Sequence, residues 1–185
     1  MIWRSRHNPL REAARSGYER IVAQSRQAAF FTDCAVPDTL DGRFELICLH
    51  AFLYLHRLKS AGPEASHFAQ ELFDTMFIDM DRSLREIGKS DLRVGKEIRH
   101  MAEGLYGRIR AYEEGLASAD AVLTAALARN LFGTAKEAPP LAAMAAYVRR
   151  AAARLEAQPT AALVAGRVVF EPPPHPESLV RETVP

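Results

Sequence analysis

Residues 98–116 read IRHMAEGLYGRIRAYEEGL. Ile98, Met101, Leu105, Ile109, Tyr112 and Leu116 recur at alternating steps of three and four. That spacing places them on one side of a helix and suits shallow-angle packing against other helices. A second line of small residues, Gly104, Gly107, Ala111 and Gly115, runs along another side. Each glycine costs a helix about 1 kcal/mol relative to alanine, so the line is expected to admit a neighbouring backbone closely. A groove floor for an apolar segment is the functional alternative.

The same reading extends in both directions. Gly62 and Pro63 break the chain before a helix over about 64–87, with Phe73, Met76, Phe77, Met80, Leu84 and Ile87 on one face and Gly88 as its stop. A helix over about 41–59 is apolar on nearly every side, which marks an element enclosed by others. A basic helix covers about 10–29, and residues 30–37 form an irregular connector around Pro37. Further helices are predicted over about 120–131 and from Pro139–Pro140 to about 157. After Gln158 the composition turns to Pro159, Gly166 and Pro172–Pro174. The expectation is a single-domain all-α bundle of about six helices. Its parts are a basic N-terminal segment 1–9, a helical domain 10–157 and a loose, extended Pro-rich tail 158–185.

The 185 residues are 48% hydrophobic and 25% charged with a net charge of +1, an ordinary globular composition without a strong global field. DNA binding is not expected. The charge is uneven, since Arg4, Arg6, Arg11, Arg15, Arg20 and Arg26 meet only Glu12 and Glu19. Arg4, Arg6, Arg11 and Arg15 are therefore candidate contacts to ribosomal RNA or an anionic membrane surface. Cys34 and Cys48 form no CxxC pair and fit a reducing compartment. The apolar run Leu46–Leu55 falls far short of the ~20 residues that span a bilayer. A cytoplasmic protein is expected, peripheral at the inner membrane if it touches one.

The sequence holds no nucleophile elbow, phosphate-binding glycine loop or supported Cys–His arrangement. Glu64–x–x–His67 and Glu97–x–x–His100 have the spacing of di-iron ligands, but Glu64 sits in a first helical turn, where a carboxylate complements the helix dipole. His50 reads as a hydrogen-bonded core histidine. No catalytic residue, metal or cofactor is assigned. Asp79, Asp81, Arg82, Arg85 and Glu86 stand at three- and four-residue spacings on the 64–87 helix. Each such pair contributes only ~0.2–0.5 kcal/mol, too little to explain so dense a set. A partner-facing patch is the functional reading.

Several stretches carry more than periodicity: YERIVAQSRQAAFFTD from Tyr18, VPDTLDGRFELICLHAFL from Val36 and LFDTMFIDMDRSLREIGKSDLRVGKEI from Leu72. MAEGLYGRIRAYEEGL from Met101 and LARNLFG from Leu127 continue the series. In this order, over roughly residues 18–156, the chain resembles the ubiquinol–cytochrome c chaperone family. That resemblance implies a non-catalytic assembly factor for the respiratory ubiquinol–cytochrome c reductase (complex III), which binds newly made cytochrome b. It implies as further partners a ribosome or membrane surface and a small helical protein. The candidate client surface is a groove between the 64–87 helix and the one carrying 98–116, flanked by Asp79, Asp81, Arg82, Arg85, Arg108 and Arg110. The competing readings are a helical metalloprotein or enzyme of quinone or haem chemistry, and an RNA- or membrane-surface adaptor.

Overall fold

The computed structural model describes residues 8–133 and 140–174. Among them are eight helices: α1 (Pro9–Ser25), α2 (Ala29–Thr32), α3 (Leu40–Leu58), α4 (Pro63–Glu86), α5 (Asp91–Ala117), α6 (Asp120–Asn130), α7 (Leu141–Glu156) and α8 (Thr160–Val164). Local chemistry sets most boundaries. Asn8 accepts from the amides of Leu10 and Arg11 with Pro9 in the first turn, and Thr39 accepts from Gly42. Gly88 closes α4 at φ +86°, a conformation that suits glycine.

The middle of the bundle is α3, which packs on α1, α4, α5 and α7. Leu46, Cys48, Leu49, Phe52, Leu53 and Tyr54 are all buried, so its apolar circumference is matched by neighbours on every side. No helix among the described residues is long and apolar enough to cross a membrane.

His50 lies at the centre, fully buried as read from its apolar context. Its Nδ1 sits 2.8 Å from the Leu46 carbonyl oxygen and 2.9 Å from Ser25 Oγ, and its Nε2 2.8 Å from Tyr147 Oη. Tyr147 in turn accepts from Gln24 Nε2 at 3.1 Å. These partners suit the neutral ring, with Nδ1–H donating to Leu46 and Nε2 accepting from Tyr147. Burial pushes the imidazole down from 6.5 to about 4. The unfolded chain therefore takes up a proton at this ring near pH 6.5, and the folded chain only near pH 4. Stability is fully present above pH 6.5 and falls as the pH drops toward 4. A His50→Gln variant is expected to be less stable at neutral pH but to lose less on acidification across this window. Parallel melting curves for the two proteins would contradict it.

Three sequence-based expectations change. The connector 30–37 contains the helical turn α2, which buries Phe30 edge-on against His50 and Tyr147. The small-residue line on α5 is not one contact surface. Of its three glycines, only Gly115 meets another helix, where an added Cβ would lie 2.9 Å from Leu123 Cα. Gly104 makes room for the guanidinium of Arg108 on its own helix, and Gly107 faces open space.

The third change concerns the tail. Residues 158–174 are not loose, because Leu163, Val168 and Phe170 enter the core. Gly166, at φ +74°, lets the chain lie directly on α1, since a Cβ there would come 2.2 Å from the Ala13 carbonyl oxygen. Gln158 pairs with both backbone groups of Val169, accepting from its N–H at 2.9 Å and donating to its carbonyl at 2.8 Å. Arg57 donates to the carbonyls of Leu155 and Gln158 and to Thr160 Oγ1. Prolines and a glycine read as a loose, extended tail in the sequence, yet over 158–174 they shape a fitted strap. Residues 175–185 lie outside the described residues.

Candidate functional site

The candidate residues do not gather around one groove between α4 and α5. They fall into three places, determined by the face of α4 or α5 that each occupies.

The first is an open cleft of ≈ 910 Å³ between α1 and α4. Arg11, Arg15, Tyr18 and Val22 line it from α1, Arg26 from just past its end, and Thr75, Ile78, Asp79 and Arg82 from α4. The one-turn spacing of Arg11 and Arg15 on α1 aims both toward α4. The structure thus joins residues that the sequence assigned to separate roles: Arg11 and Arg15 as ribosome or membrane contacts, Asp79 and Arg82 as client contacts. Arg4 and Arg6 lie outside the described residues.

Charges in this cleft are partly committed. Arg11 Nε bonds Glu71 Oε1 at 2.9 Å, and Arg15 reaches Glu19 at 3.8 Å. Tyr18 Oη donates to Asp79 Oδ2 at 3.0 Å. Burial, reinforced by the Asp79 carboxylate, pushes the Tyr18 phenol well above its usual range, so it stays a donor. Asp79 makes this bond and no ion pair with Arg82, three residues on. Arg82 has no hydrogen-bond or ion-pair partner among the described residues, and it stands beside the exposed Ile78.

The second place is the junction of α4 with α5. Arg85 bonds Asp81, with Nε 2.6 Å from Oδ2, and also reaches Asp91 at the start of α5. The Arg85 guanidinium holds the Asp81 carboxyl below its ordinary value. Of the ladder read on α4, the Asp81–Arg85 rung is formed, and the separate bond from Arg85 to Asp91 ties α4 to α5.

The third place is the seam of α3 and α5. Arg108 bonds Glu45 through two nitrogens, Nε lying 2.5 Å from Oε2, and donates to the Gly104 carbonyl at 2.9 Å. Its guanidinium also lies 5.8 Å from the centre of the Phe44 ring. The side chains are only 10% exposed for Glu45 and 21% for Arg108. The hydrogen bonds to Glu45 push Arg108 further up, keeping it charged. Arg108 is thus occupied within the bundle, whereas Arg110, two residues on, stands on the exposed outer face of α5.

Between α4 and α5, where the groove was expected, sits an aromatic cluster that sequence reading missed. Phe73 packs on Phe77 at 4.6 Å and on Tyr106 at 5.6 Å between ring centres. The four-residue step from Phe73 to Phe77 was the available signal. Tyr106 lay off the apolar face of α5 and gave none. Met76 and Met80 fill the core beneath.

Glu97, one member of the Glu-x-x-His pairs, bonds Lys89. What the first place can do is hold a partner by charge and apolar contact: Arg82, without a partner among the described residues, the exposed Ile78 and the arginines of α1 offer a mixed surface for another polypeptide.

Comparison with known proteins bears on which polypeptide. Residues 32–170 match the family model described as ubiquinol-cytochrome C chaperone. The chain is similar to ubiquinol-cytochrome-c reductase complex assembly factor 1 of Xenopus laevis, 31% identical over 145 residues, covering 77% of this chain and 72% of that protein. It is 30% identical over 139 residues to the Homo sapiens protein of that name, covering 75% of this chain and 46% of the relative. The chain thus spans about half the length of its mammalian relatives. It is also 30% identical over 110 residues to the mitochondrial protein CBP3 of Saccharomyces cerevisiae, covering 58% of this chain and 33% of that one. Among solved structures, the Cbp3 homolog from Brucella abortus superposes with a TM-score of 0.79 at 38% identity, covering 88% of this chain and 91% of that one.

Proposed function

The chain belongs to the ubiquinol–cytochrome c chaperone family, and from that premise we propose that it is a non-catalytic assembly factor for complex III that holds newly made cytochrome b. The observation that carries this reading is the family match over residues 32–170, which takes in the helical bundle from α3 through α8. Relatives over much of this length are named as assembly factors of the same complex.

The holding surface in this reading is the α1–α4 cleft. Arg82 supplies a cation with no partner among the described residues, Arg11 and Arg15 add exposed positive charge, and Val22 and Ile78 offer apolar contact. Such a surface grips an extended or helical segment whose own groups remain unpaired before assembly. Release follows from differential affinity: once haem or a partner subunit covers that segment, the cleft has nothing left to bind. Action at the cytoplasmic side of the inner membrane, with a ribosome or a small helical protein as further partner, belongs to the same reading.

Reversing Arg15 and Arg82 together to glutamate is expected to lower complex III several-fold while the melting transition stays in place, because both side chains are exposed. Newly made cytochrome b recovered with the affinity-tagged variant should fall in parallel. Normal recovery of cytochrome b with this folded variant would remove the cleft from the reading. Normal complex III in a strain lacking the protein altogether would remove the function itself.

A further inference from the structure

We infer that the turn joining α4 to α5 and the adjoining outer face of α5 form a docking surface for an anionic lipid bilayer. The assignment rests on side chains that nothing else in the fold uses. Ile87 and Leu92 flank the turn and are 61% and 91% exposed, the latter the most exposed large apolar side chain among the described residues. Just beneath, Leu84 and Val94 are buried, so the turn is a packed structure from which these two aliphatic side chains project. The surrounding charges are cationic in excess. Residues 85–99 carry five Arg or Lys against three Asp or Glu. Arg85 is engaged by Asp81 and Asp91, and Lys89 by Glu97. Arg93, Lys96 and Arg99 remain exposed, with no hydrogen-bond or ion-pair partner among the described residues.

The geometry follows from the helical repeat. At 3.6 residues per turn Leu92, Lys96 and Arg99 share one face of α5, with Arg93 at its edge. That face continues through Glu103 and Tyr106 to Arg110, every one exposed. The surface therefore sets aliphatic side chains at the tip and a row of cations behind them, opposed by two acids without a hydrogen-bond or ion-pair partner among the described residues, Glu86 at the turn and Glu103 on α5. This pairing of apolar insertion with basic attraction is what stable binding to an anionic membrane surface requires, since either signal alone is weak. RNA would be met by aromatic groups on which bases stack, whereas the tip presents aliphatic ones. This places membrane contact at the C-terminal end of α4 rather than at the arginines of α1, and it stands whether or not the protein handles cytochrome b.

The test is sedimentation of the full chain with vesicles of phosphatidylcholine alone, and with vesicles containing about one-third phosphatidylglycerol. The wild type is expected to bind the anionic vesicles, with binding weakened by salt because the cations are exposed. Ile87→Ser with Leu92→Ser, and separately Arg93→Ala with Lys96→Ala and Arg99→Ala, should each reduce that binding about tenfold or more. Circular dichroism melting should be unchanged, since all five side chains are exposed and Leu84 and Val94 are kept. Equal binding to neutral vesicles, or variants that sediment as the wild type does, would overturn the assignment. So would a Leu92→Ser change that converts a dimer into a monomer, which would give the face to a second copy.

Discussion

A chain ended after Gln158 is expected to lose its cooperative fold, while one ended after Pro174 keeps it. The shorter chain lacks Leu163, Val168 and Phe170, all of which are buried in the common core with residues of α1, α3 and α7. Full burial of such a side chain stabilises by about 1.5–3 kcal/mol, and the cavity left behind adds to the loss. Three of them together exceed about 5 kcal/mol, the lower end of what a whole domain has to spare. Polar contacts go with them. Tyr54 Oη donates to the Leu163 carbonyl at 2.5 Å, and Gln24 Nε2 to the Glu171 carbonyl at 2.7 Å, so both donors would face an emptied core. The ring of Phe170 also covers His50, at 5.4 Å between centres. Without it, water reaches the buried His50–Tyr147 network. Thermal melting by circular dichroism compares the two truncations directly. A sharp transition within a few degrees of the full chain for the shorter one would return the segment to the status of a loose tail.

The second large effect is at the seam of α3 and α5. Arg108→Met is expected to destabilise the protein by about 3–5 kcal/mol, because it leaves the buried Glu45 carboxyl without its partner. The loss reflects the stranded carboxylate more than the worth of the pair. Replacing both residues, Glu45→Leu with Arg108→Met, removes the stranded charge, and much of the stability should return. Urea unfolding of the two single variants and the double variant measures the coupling. A single-variant loss below about 1 kcal/mol would show a pair screened by water in the manner of surface ion pairs. This experiment also separates two roles for Arg108. A residue that lowers complex III only in proportion to lost stability is part of the scaffold, not of the partner surface.

Much of the bundle was legible from local pattern. The three–four spacing in 98–116 marked a helix and its buried side, and Leu105 and Tyr112 are fully buried as that pattern requires. The helix begins earlier than the quoted stretch, at Asp91, and the fully buried Val94, four residues before Ile98, carries its apolar side into the first turn. The all-round apolar character of 41–59 marked the enclosed helix, and His50 within it is the buried, hydrogen-bonded residue that this context predicts.

The candidate surface was legible only in its ingredients. Asp79, Asp81, Arg82 and Arg85 stand within two turns of α4, but a helix turns by about 100° per residue, so neighbours in sequence face different partners. Asp79 and Arg82 look to α1, and Asp81 and Arg85 to the start of α5. Glu45 and Arg108 are 63 positions apart and pair across a seam.

What the sequence determined by itself was periodic: which stretches are helical, which sides are apolar, and the family to which their order belongs. Periodicity is a property of one element, fixed by repeat geometry and the avoidance of water by apolar groups. The tertiary structure alone decided which faces meet. It folded residues 160–170 onto α1 and the core, spent Arg108 on Glu45, and left Ile87, Leu92 and Arg82 without partners among the described residues. Those outcomes depend on distances between elements far apart in the chain, where burial and ion pairing act through space and leave no local signature.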